Sequence, residues 1–336
     1  MLKEATVTEA CTCPICDATD SEPRFRVPFP NQHHSLRQGF TLDENPGVPF
    51  WTIDRCNNCG LEYAKPRPTK AEIHSFYKSQ FEPNEWEKEV YLDRERTAAF
   101  RDLAQGITAL NGGPGRVLEI GSAGGWFLKA AQELGWQVNG VEASPKFSKF
   151  CIEHNKIPVV EGTSEDVPTE FYGQFDIVAM FDVLEHLQDP LSELKRLHRL
   201  VKPGGHIIIA TCDIGSACAR TYGVNWRQIV VSHTIYWTKK SMRLAMAKAG
   251  FSEVTFSEPR YWHPQPAIEM NNKIREVCKL LSRVILFNTY VPLSKLPVIR
   301  QAPSVMTAGK LTHDRLLQKI GDQPVLGDVM LVIAKK

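Results

Sequence analysis

From residue 116 onwards the apolar positions fall into a repeating rhythm: a short apolar run, a glycine turn, then a stretch of helical period. Residues 117–120, 137–142, 158–161, 175–181, 206–211, 252–257 and 329–334 read as seven strands. Residues 126–134, closed by Gly135, and 241–249, closed by Gly250, read as helices. Ser144-Pro145 supplies a cap followed by proline at the first helical position. A helix preceding the fifth strand is expected to stop at Lys202-Pro203-Gly204-Gly205. Strands alternating with helices at this spacing predict an α/β fold with a doubly wound, mostly parallel sheet.

Ahead of that rhythm the pattern differs. Residues 1–68 are rich in Cys, Pro and Asn, show little helical period and end at Lys65-Pro66-Arg67-Pro68; so short a segment needs a staple. Thr69-Lys-Ala-Glu72 has the form of a capping box and residues 85–110 read as a helix, so 69–110 form a helical lead-in to a core at 111–261. Residues 262–324, with an amphipathic stretch at 274–286, read as an insertion capping the site, and 325–336 as the last core strand.

Composition narrows the function classes. The 336 residues, 43% hydrophobic, can bury one large core with residues left for a small accessory module. Lys and Arg number 40 against 38 Asp and Glu, so no strong field draws in nucleic acid. No stretch reaches the roughly 18 apolar residues that span a bilayer, and the first residues lack an apolar signal region. A cytoplasmic protein with a small-molecule substrate, no nucleic-acid partner and no stable membrane insertion is expected, with oligomeric state left open.

Five of the nine cysteines crowd into the first 59 residues, which in a cytosolic chain favours metal over disulfides. Cys13-Pro-Ile-Cys16 and Cys56-Asn-Asn-Cys59 form two knuckles, and four thiolates in that spacing suit a closed, structural Zn2+ in a zinc-ribbon-like module. Four buried cysteines in a small core are the alternative. Cys11 is expected to remain a free thiol.

The turn Glu119-Ile-Gly121-Ser-Ala-Gly124-Gly125 lies between a strand and a helix, where glycine permits a tight bend and close approach of a ligand. Glu142 ends the next strand, where an acid can accept both hydroxyls of an adenosine ribose. A structural turn beside a solvated carboxylate is the plain alternative. Nicotinamide dinucleotides compete for such geometry, but Glu119 at the strand end would repel a pyrophosphate and welcome an ammonium. S-adenosylmethionine carries an ammonium and no phosphate.

With these motifs the chain resembles the class I S-adenosylmethionine-dependent methyltransferases. The match comprises the acid-led glycine loop with Ala123 in place of its middle glycine, Glu142, Gly162-Thr-Ser-Glu-Asp166, the fourth-strand run from Phe175 to Leu187, and Lys202-Pro-Gly-Gly205 before the fifth strand. The resemblance implies a Rossmann-like core, with Glu119, Gly121 and Gly125 toward the methionine part of the cofactor and Glu142 on its ribose. It also implies Thr163, Ser164 and Glu165 at adenine, and Phe181 and Asp182 beside the methionine moiety. The cysteine knuckles, continued by Cys59-Gly-Leu-Glu-Tyr63, are similar to a module of methyltransferases acting on nucleotide sugars and natural-product precursors. That likeness adds Tyr77 as a cofactor contact.

Three histidines are candidate bases for methyl transfer: His233, then His186, then His263. For His186 a purely structural bond within its helix is an equal alternative. Asp182, Glu185 and His186 also resemble the acid-x-x-Glu-His cluster that holds Mg2+ in quinone-precursor O-methyltransferases, though a solvent-facing helix start explains them equally. The expected activity is methylation of oxygen or carbon in a small metabolite, a nucleotide sugar or secondary-metabolite intermediate. The longer C-terminal domain of the sugar C-methyltransferases is missing after Lys336, which counts against C-methylation of a sugar ring. The alternatives are magnesium-assisted O-methylation of a phenolic or quinone precursor and a zinc-ribbon enzyme acting on nucleic acid.

Overall fold

A computed structural model describes residues 8–9, 11–28, 50–65, 67–68, 94–230, 232–257 and 329–336. The expected capping box at 69–72, the start of the lead-in helix, Tyr77, His263 and the whole of 262–324 lie outside the described residues.

In chain order the elements are β1 (Thr8–Glu9), β2 (Ser21–Pro28), β3 (Phe50–Cys56), β4 (Glu62–Lys65), β5 (Arg67–Pro68), α1 (Arg94–Asn111), β6 (Arg116–Ile120), α2 (Trp126–Glu133), β7 (Gln137–Glu142), α3 (Pro145–Asn155) and β8 (Val159–Glu161). There follow β9 (Phe175–Phe181), α4 (Pro190–Leu200), β10 (Val201–Cys212), α5 (Ala217–Tyr222), β11 (Ile235–Tyr236), α6 (Lys239–Ala249), β12 (Ser252–Ser257) and β13 (Val329–Lys335). Short 3-10 turns lie at Ser164–Asp166, Thr169–Phe171, Leu184–His186 and Gly223–Asn225.

Seven strands form the central sheet in the order β12-β13-β10-β9-β6-β7-β8. The five strands from β10 to β8 pair in parallel, and β13 runs antiparallel between β10 and β12. The α/β, mostly parallel sheet expected from the sequence is therefore present. The middles of its central strands are mostly apolar because both faces are covered. Val178 and Met180 of β9, Ile207 and Ile209 of β10, and Met330 and Val332 of β13 face the layer built by α4 and α6. Ile177, Ala179, Ile208, Ala210 and Leu331 face the layer built by α1 and α2.

Two details differ from expectation. The helix before β10 ends at Leu200, and Pro203, Gly204 and Gly205 sit inside the strand, as a register irregularity between Val201 and His206. Gly205 is needed there: a Cβ would lie 2.7 Å from the Asp176 carbonyl oxygen. Second, the cysteine-rich segment carries real strands. β2, β3 and β4 form an antiparallel sheet whose fourth strand, β11, comes from the segment after β10, in the order β11-β4-β3-β2. The side chains of Cys13, Ile15, Cys59, Leu61 and Tyr63 share one apolar cluster with α4 and α6, and the Lys248 ammonium donates to the Ile15 carbonyl at 3.0 Å.

Asp176 ties the entry ends of three central strands together. Its carboxylate accepts from the Arg116 N–H at 2.7 Å and from the Lys202 ammonium at 2.8 Å. Burial pushes its pKa up, but the Lys202 and Arg116 bonds outweigh it and hold the group below the ordinary aspartate value. Because the folded pKa is depressed, the contribution is present above the unfolded value near pH 4 and is lost as pH falls through the folded one. The pair is partly exposed, so solvent screening reduces its worth. Asp176→Ala is expected to cost about 1 kcal/mol at neutral pH in urea unfolding, with the gap to the parent chain narrowing below roughly pH 4.

Candidate active site

Strand order reverses direction between β6 and β9, and the crevice past the carboxyl ends of the strands at that point is where open parallel sheets take ligands. Four chain segments meet there, following β6, β7, β9 and β10.

After β6 the backbone turns sharply. Gly121 has φ 73° and Gly125 φ 77°. A Cβ on Gly121 would stand 2.4 Å from Val183 Cγ2, and one on Gly125 the same distance from the Cys151 sulfur. Ala123, where the related loop has glycine, also lies in the left-handed region at φ 44°, a conformation costing roughly 1–2 kcal/mol for an L-residue. Asp182, just past β9, joins it at φ 53° with its N–H on the Ala210 carbonyl. Strain gathered at the two inner strand ends fits a ligand site.

Two carboxylates are buried beside this turn. Glu142 is 8% exposed, and its two oxygens accept the Ala123 N–H at 2.8 Å and the Ser144 N–H at 2.7 Å. Burial raises its pKa and those backbone bonds pull it back. Glu119, 4% exposed, has no such compensation: its Oε2 finds no hydrogen-bond partner in the protein. Burial first, and then the charge of Glu142, push it well above the usual carboxylate range. A buried acceptor left open at the floor of a crevice suits a cationic donor.

The segment after β8 is more self-contained. Asp166 accepts the Thr163 N–H at 2.8 Å and its hydroxyl at 3.1 Å. Ser164 is buried, donating to Glu193 at 2.6 Å and accepting from Arg196 at 3.1 Å, while Glu165 pairs with Arg196 at 3.3 Å. Phe181, the last residue of β9, packs edge-on against Phe127 with ring centroids 5.0 Å apart.

The structure brings His186 and His233 together, with ring centroids 4.6 Å apart and planes nearly perpendicular. His186 Nδ1 lies 2.9 Å from the Ser232 carbonyl oxygen, an acceptor only, so Nδ1 carries the proton and Nε2 the lone pair. Burial presses the His186 pKa down to about 4. Glu185 is buried, accepts the Thr211 hydroxyl at 2.9 Å, and is pushed up to about 8 by burial and then by Asp182. Thr211 and Ser232 were not anticipated. A polar residue ending the otherwise apolar run Ile207–Ala210 was the available signal for Thr211; the Ser232 contribution is a backbone carbonyl, which side-chain identity does not encode.

Away from the crevice, the sulfurs of Cys13, Cys16, Cys56 and Cys59 lie within 4.8 Å of one another. Cys13 and Cys59 are 3.4 Å apart and Cys16 and Cys56 3.6 Å, too far for disulfides and close to the edge of about 3.8 Å that a tetrahedral zinc-thiolate sphere would show. Hydrogen bonding from Cys13 is the main cause that lowers Cys59 to about 5, while the same contact raises Cys13. Cys11 stands outside this group, its thiol 3.7 Å from the Ala64 carbonyl oxygen.

Residues 92–255 match the family model described as a methyltransferase domain. The chain is 30% identical over 176 residues to a ubiquinone biosynthesis O-methyltransferase of Caulobacter sp. (strain K31), covering 49% of this chain and 66% of that protein. It is 33% identical over 108 residues to a protein of the same name from Pseudomonas aeruginosa (strain LESB58), covering 29% of this chain and 44% of that one. The chain thus spans two-thirds or less of the length of these relatives. Among solved structures it is similar to a SAM-dependent methyltransferase of Thermotoga maritima, at 20% identity and a TM-score of 0.48, covering 79% of this chain and 99% of that one. The sheet order and the acid-led glycine turn agree with that match: residues 92–255, just under half of the chain, are similar to a methyltransferase domain.

Proposed function

We propose that the chain transfers a methyl group from S-adenosylmethionine to an oxygen atom of a small hydroxylated metabolite. The supporting observation is the convergence of His186, which follows β9, with His233. Glu142 would hold the ribose hydroxyls, whose donors can share its oxygens with the two backbone N–H groups. Glu119 would face the ammonium, with Gly121 and Gly125 allowing the cofactor to lie against backbone. Phe181 and Asp182 would border the methionine moiety, and Thr163 to Glu165 the adenine.

When bound, S-adenosylmethionine supplies an electrophilic methyl and leaves as a neutral thioether. The acceptor hydroxyl must lose its proton as the new carbon–oxygen bond forms. His186 is the base best placed by its tautomer, since Nδ1 is tied to Ser232 and Nε2 carries a lone pair; its depressed pKa keeps it neutral at physiological pH. His233 packs edge-on against it and would limit where the acceptor oxygen can lie. Nucleotide sugars and secondary-metabolite intermediates remain acceptor classes, but relatives named for O-methylation in ubiquinone biosynthesis favour a phenolic hydroxyl. The four thiolates fit a structural zinc ion: they form a closed sulfur shell with no position left for a reactant. Among the described residues no helix is long and apolar enough to cross a membrane.

Two measurements test this reading. A panel of phenols, vicinal diols and nucleotide sugars, assayed for S-adenosylhomocysteine, should yield an O-methylated product; His186→Gln should lower kcat by about 10²- to 10⁴-fold while leaving cofactor affinity unchanged. A product methylated on carbon would sink the assignment. Separately, Glu119 favours its protonated form in the free protein, whereas an incoming ammonium favours the carboxylate. Cofactor binding should therefore release a proton and tighten as pH rises. Calorimetry in buffers of different ionisation enthalpy reads that release, and Glu119→Gln should abolish it.

A further inference from the structure

Glu62 of β4 is a buried carboxylate that neither methyl transfer nor the cysteine knot uses. It is 1% exposed, and its Oε2 finds no hydrogen-bond partner in the protein. The Arg24 guanidinium of β2 reaches only the other oxygen, through a single nitrogen. A guanidinium beside a carboxylate can pair both oxygens at once, and this one leaves the second open.

Strand pairing places that open oxygen. Glu62 stands directly opposite Tyr236 of β11 and Arg55 of β3, and residues so paired share one face of a sheet. Leu61, Tyr63 and Ile235 point the other way, into the apolar cluster with α4 and α6. On the Glu62 face, Tyr236 leads towards the proposed base: its ring centroid is 6.4 Å from that of His233. Burial first, and then Cys212 at the end of β10, raise the Tyr236 pKa, which sets this ring beside the carboxyl end of the sheet. The Cβ atoms of opposite residues are about 5 Å apart, so Glu62 lies on the order of 10 Å from His233. The turn Gly223–Asn225 meets β2 beside Phe25, which is paired with Ile53 on this same face. Trp226 closes that turn and buries an indole N–H that also has no partner.

We propose that Glu62 selects the acceptor: its open oxygen takes a hydrogen bond from a second hydroxyl of the substrate, on the order of 10 Å from the oxygen that is methylated. The proposal rests on the reading above that the acceptor oxygen lies at His186, and it deepens that reading by giving the acceptor a length and a second polar end.

A neutral hydroxyl completes this site better than an ion does. Arg24 already meets the charge of the carboxylate and Arg55 acts on it as well, so an incoming cation gains little. A phosphate would set lone pairs against lone pairs. A hydroxyl supplies the missing donor, and its own lone pairs can accept from an N–H of the kind Trp226 holds. A site built round such a hydrogen bond rejects an analogue without the hydroxyl strongly, because the buried partner is then left unpaired. The acceptor class is therefore an elongated molecule with a hydroxyl at each end.

The test uses the full chain with S-adenosylhomocysteine bound, and two rigid probes. In para,para′-biphenol a hydroxyl stands at each end of two joined rings; para-phenylphenol lacks one of them. Calorimetry should show the diol binding at least about tenfold more tightly. Glu62→Leu should bring the two probes to within about threefold of each other by weakening the diol alone, while affinity for S-adenosylhomocysteine stays that of the parent chain. Glu62→Gln keeps an acceptor oxygen and should retain most of the preference. Arg24→Gln separates recognition from anchorage, since it leaves Glu62 in place and should preserve the preference too. Equal affinity for the two probes, binding of neither, or a preference that Glu62→Leu leaves untouched overturns the proposal. So does an Arg24→Gln chain that loses the preference as fully as Glu62→Leu, because the pair is then structural. Turnover on the same samples separates the two readings. A chain that methylates simple phenols on oxygen but ignores the second hydroxyl loses this subsite alone. One that prefers the diol through Glu62 yet forms no O-methyl product keeps the subsite and loses the proposed reaction.

Discussion

The molecule is organised around a pair of buried carboxylates at the ends of neighbouring parallel strands. Parallel pairing sets Glu119 opposite Gly140 and Glu142 opposite Glu161, so two acids approach the same crevice from adjacent strands. Removing carboxylates from water is costly unless each oxygen finds a donor. Glu142 meets that demand internally through the Ala123 and Ser144 N–H groups, and in doing so fixes the turn after β6 in its left-handed conformation. Glu119 does not, and it keeps an open acceptor that only a ligand can satisfy. The strained turn, the glycines that cannot carry a Cβ and the raised acid are thus parts of one arrangement, stable in the free protein because Glu119 can hold its proton.

The rest of the sheet supports that arrangement by being unremarkable in chemistry. β9, β10 and β13 bury both faces, so through their middles the side chains alternate between two helical layers. Polar residues appear where the strands emerge: Asp182 after β9, Thr211 and Asp213 at the end of β10. Asp176 acts at the opposite end, where it gathers β6, β9 and β10 at their starts. Function and anchorage are separated by the length of a strand.

Much of this was legible in the residues because the relevant signals are local. Continuous apolar runs report strands buried on both faces, and the acid-led glycine turn reports a tight bend whichever ligand it serves. The sheet of β2, β3 and β4 was not legible, because its strands mix Pro, Arg and Glu with apolar residues and gain their partner, β11, from a segment about 170 residues later in the chain. The irregular start of β10 was hidden for a related reason: Pro203-Gly204-Gly205 signals a break, and only pairing with β9 on one side and β13 on the other carries the strand through it. The grouping of His186 with His233 depends on the same long-range pairing. Sequence spacing placed Asp182 beside Glu185 and His186; three-dimensional closure supplied His233.

That closure gives the cysteine segment a role beyond stapling itself. The Ala64 N–H donates to the Thr234 carbonyl at 2.9 Å, and the Thr234 N–H donates in turn to the Glu185 carbonyl at 2.9 Å. β4 follows directly on the second cysteine knuckle, since Gly60 closes that knuckle on the Cys56 carbonyl and the Leu61 carbonyl accepts the Cys56 N–H. A run of backbone hydrogen bonds therefore links the Cys56–Cys59 knuckle to the segments that carry His186 and His233. Backbone hydrogen bonds of this kind transmit position rather than charge, and position is what an in-line transfer demands, since a displacement of about 1 Å can cost about a hundredfold in rate. The strand that follows the second knuckle thus bonds directly to the segment carrying His233.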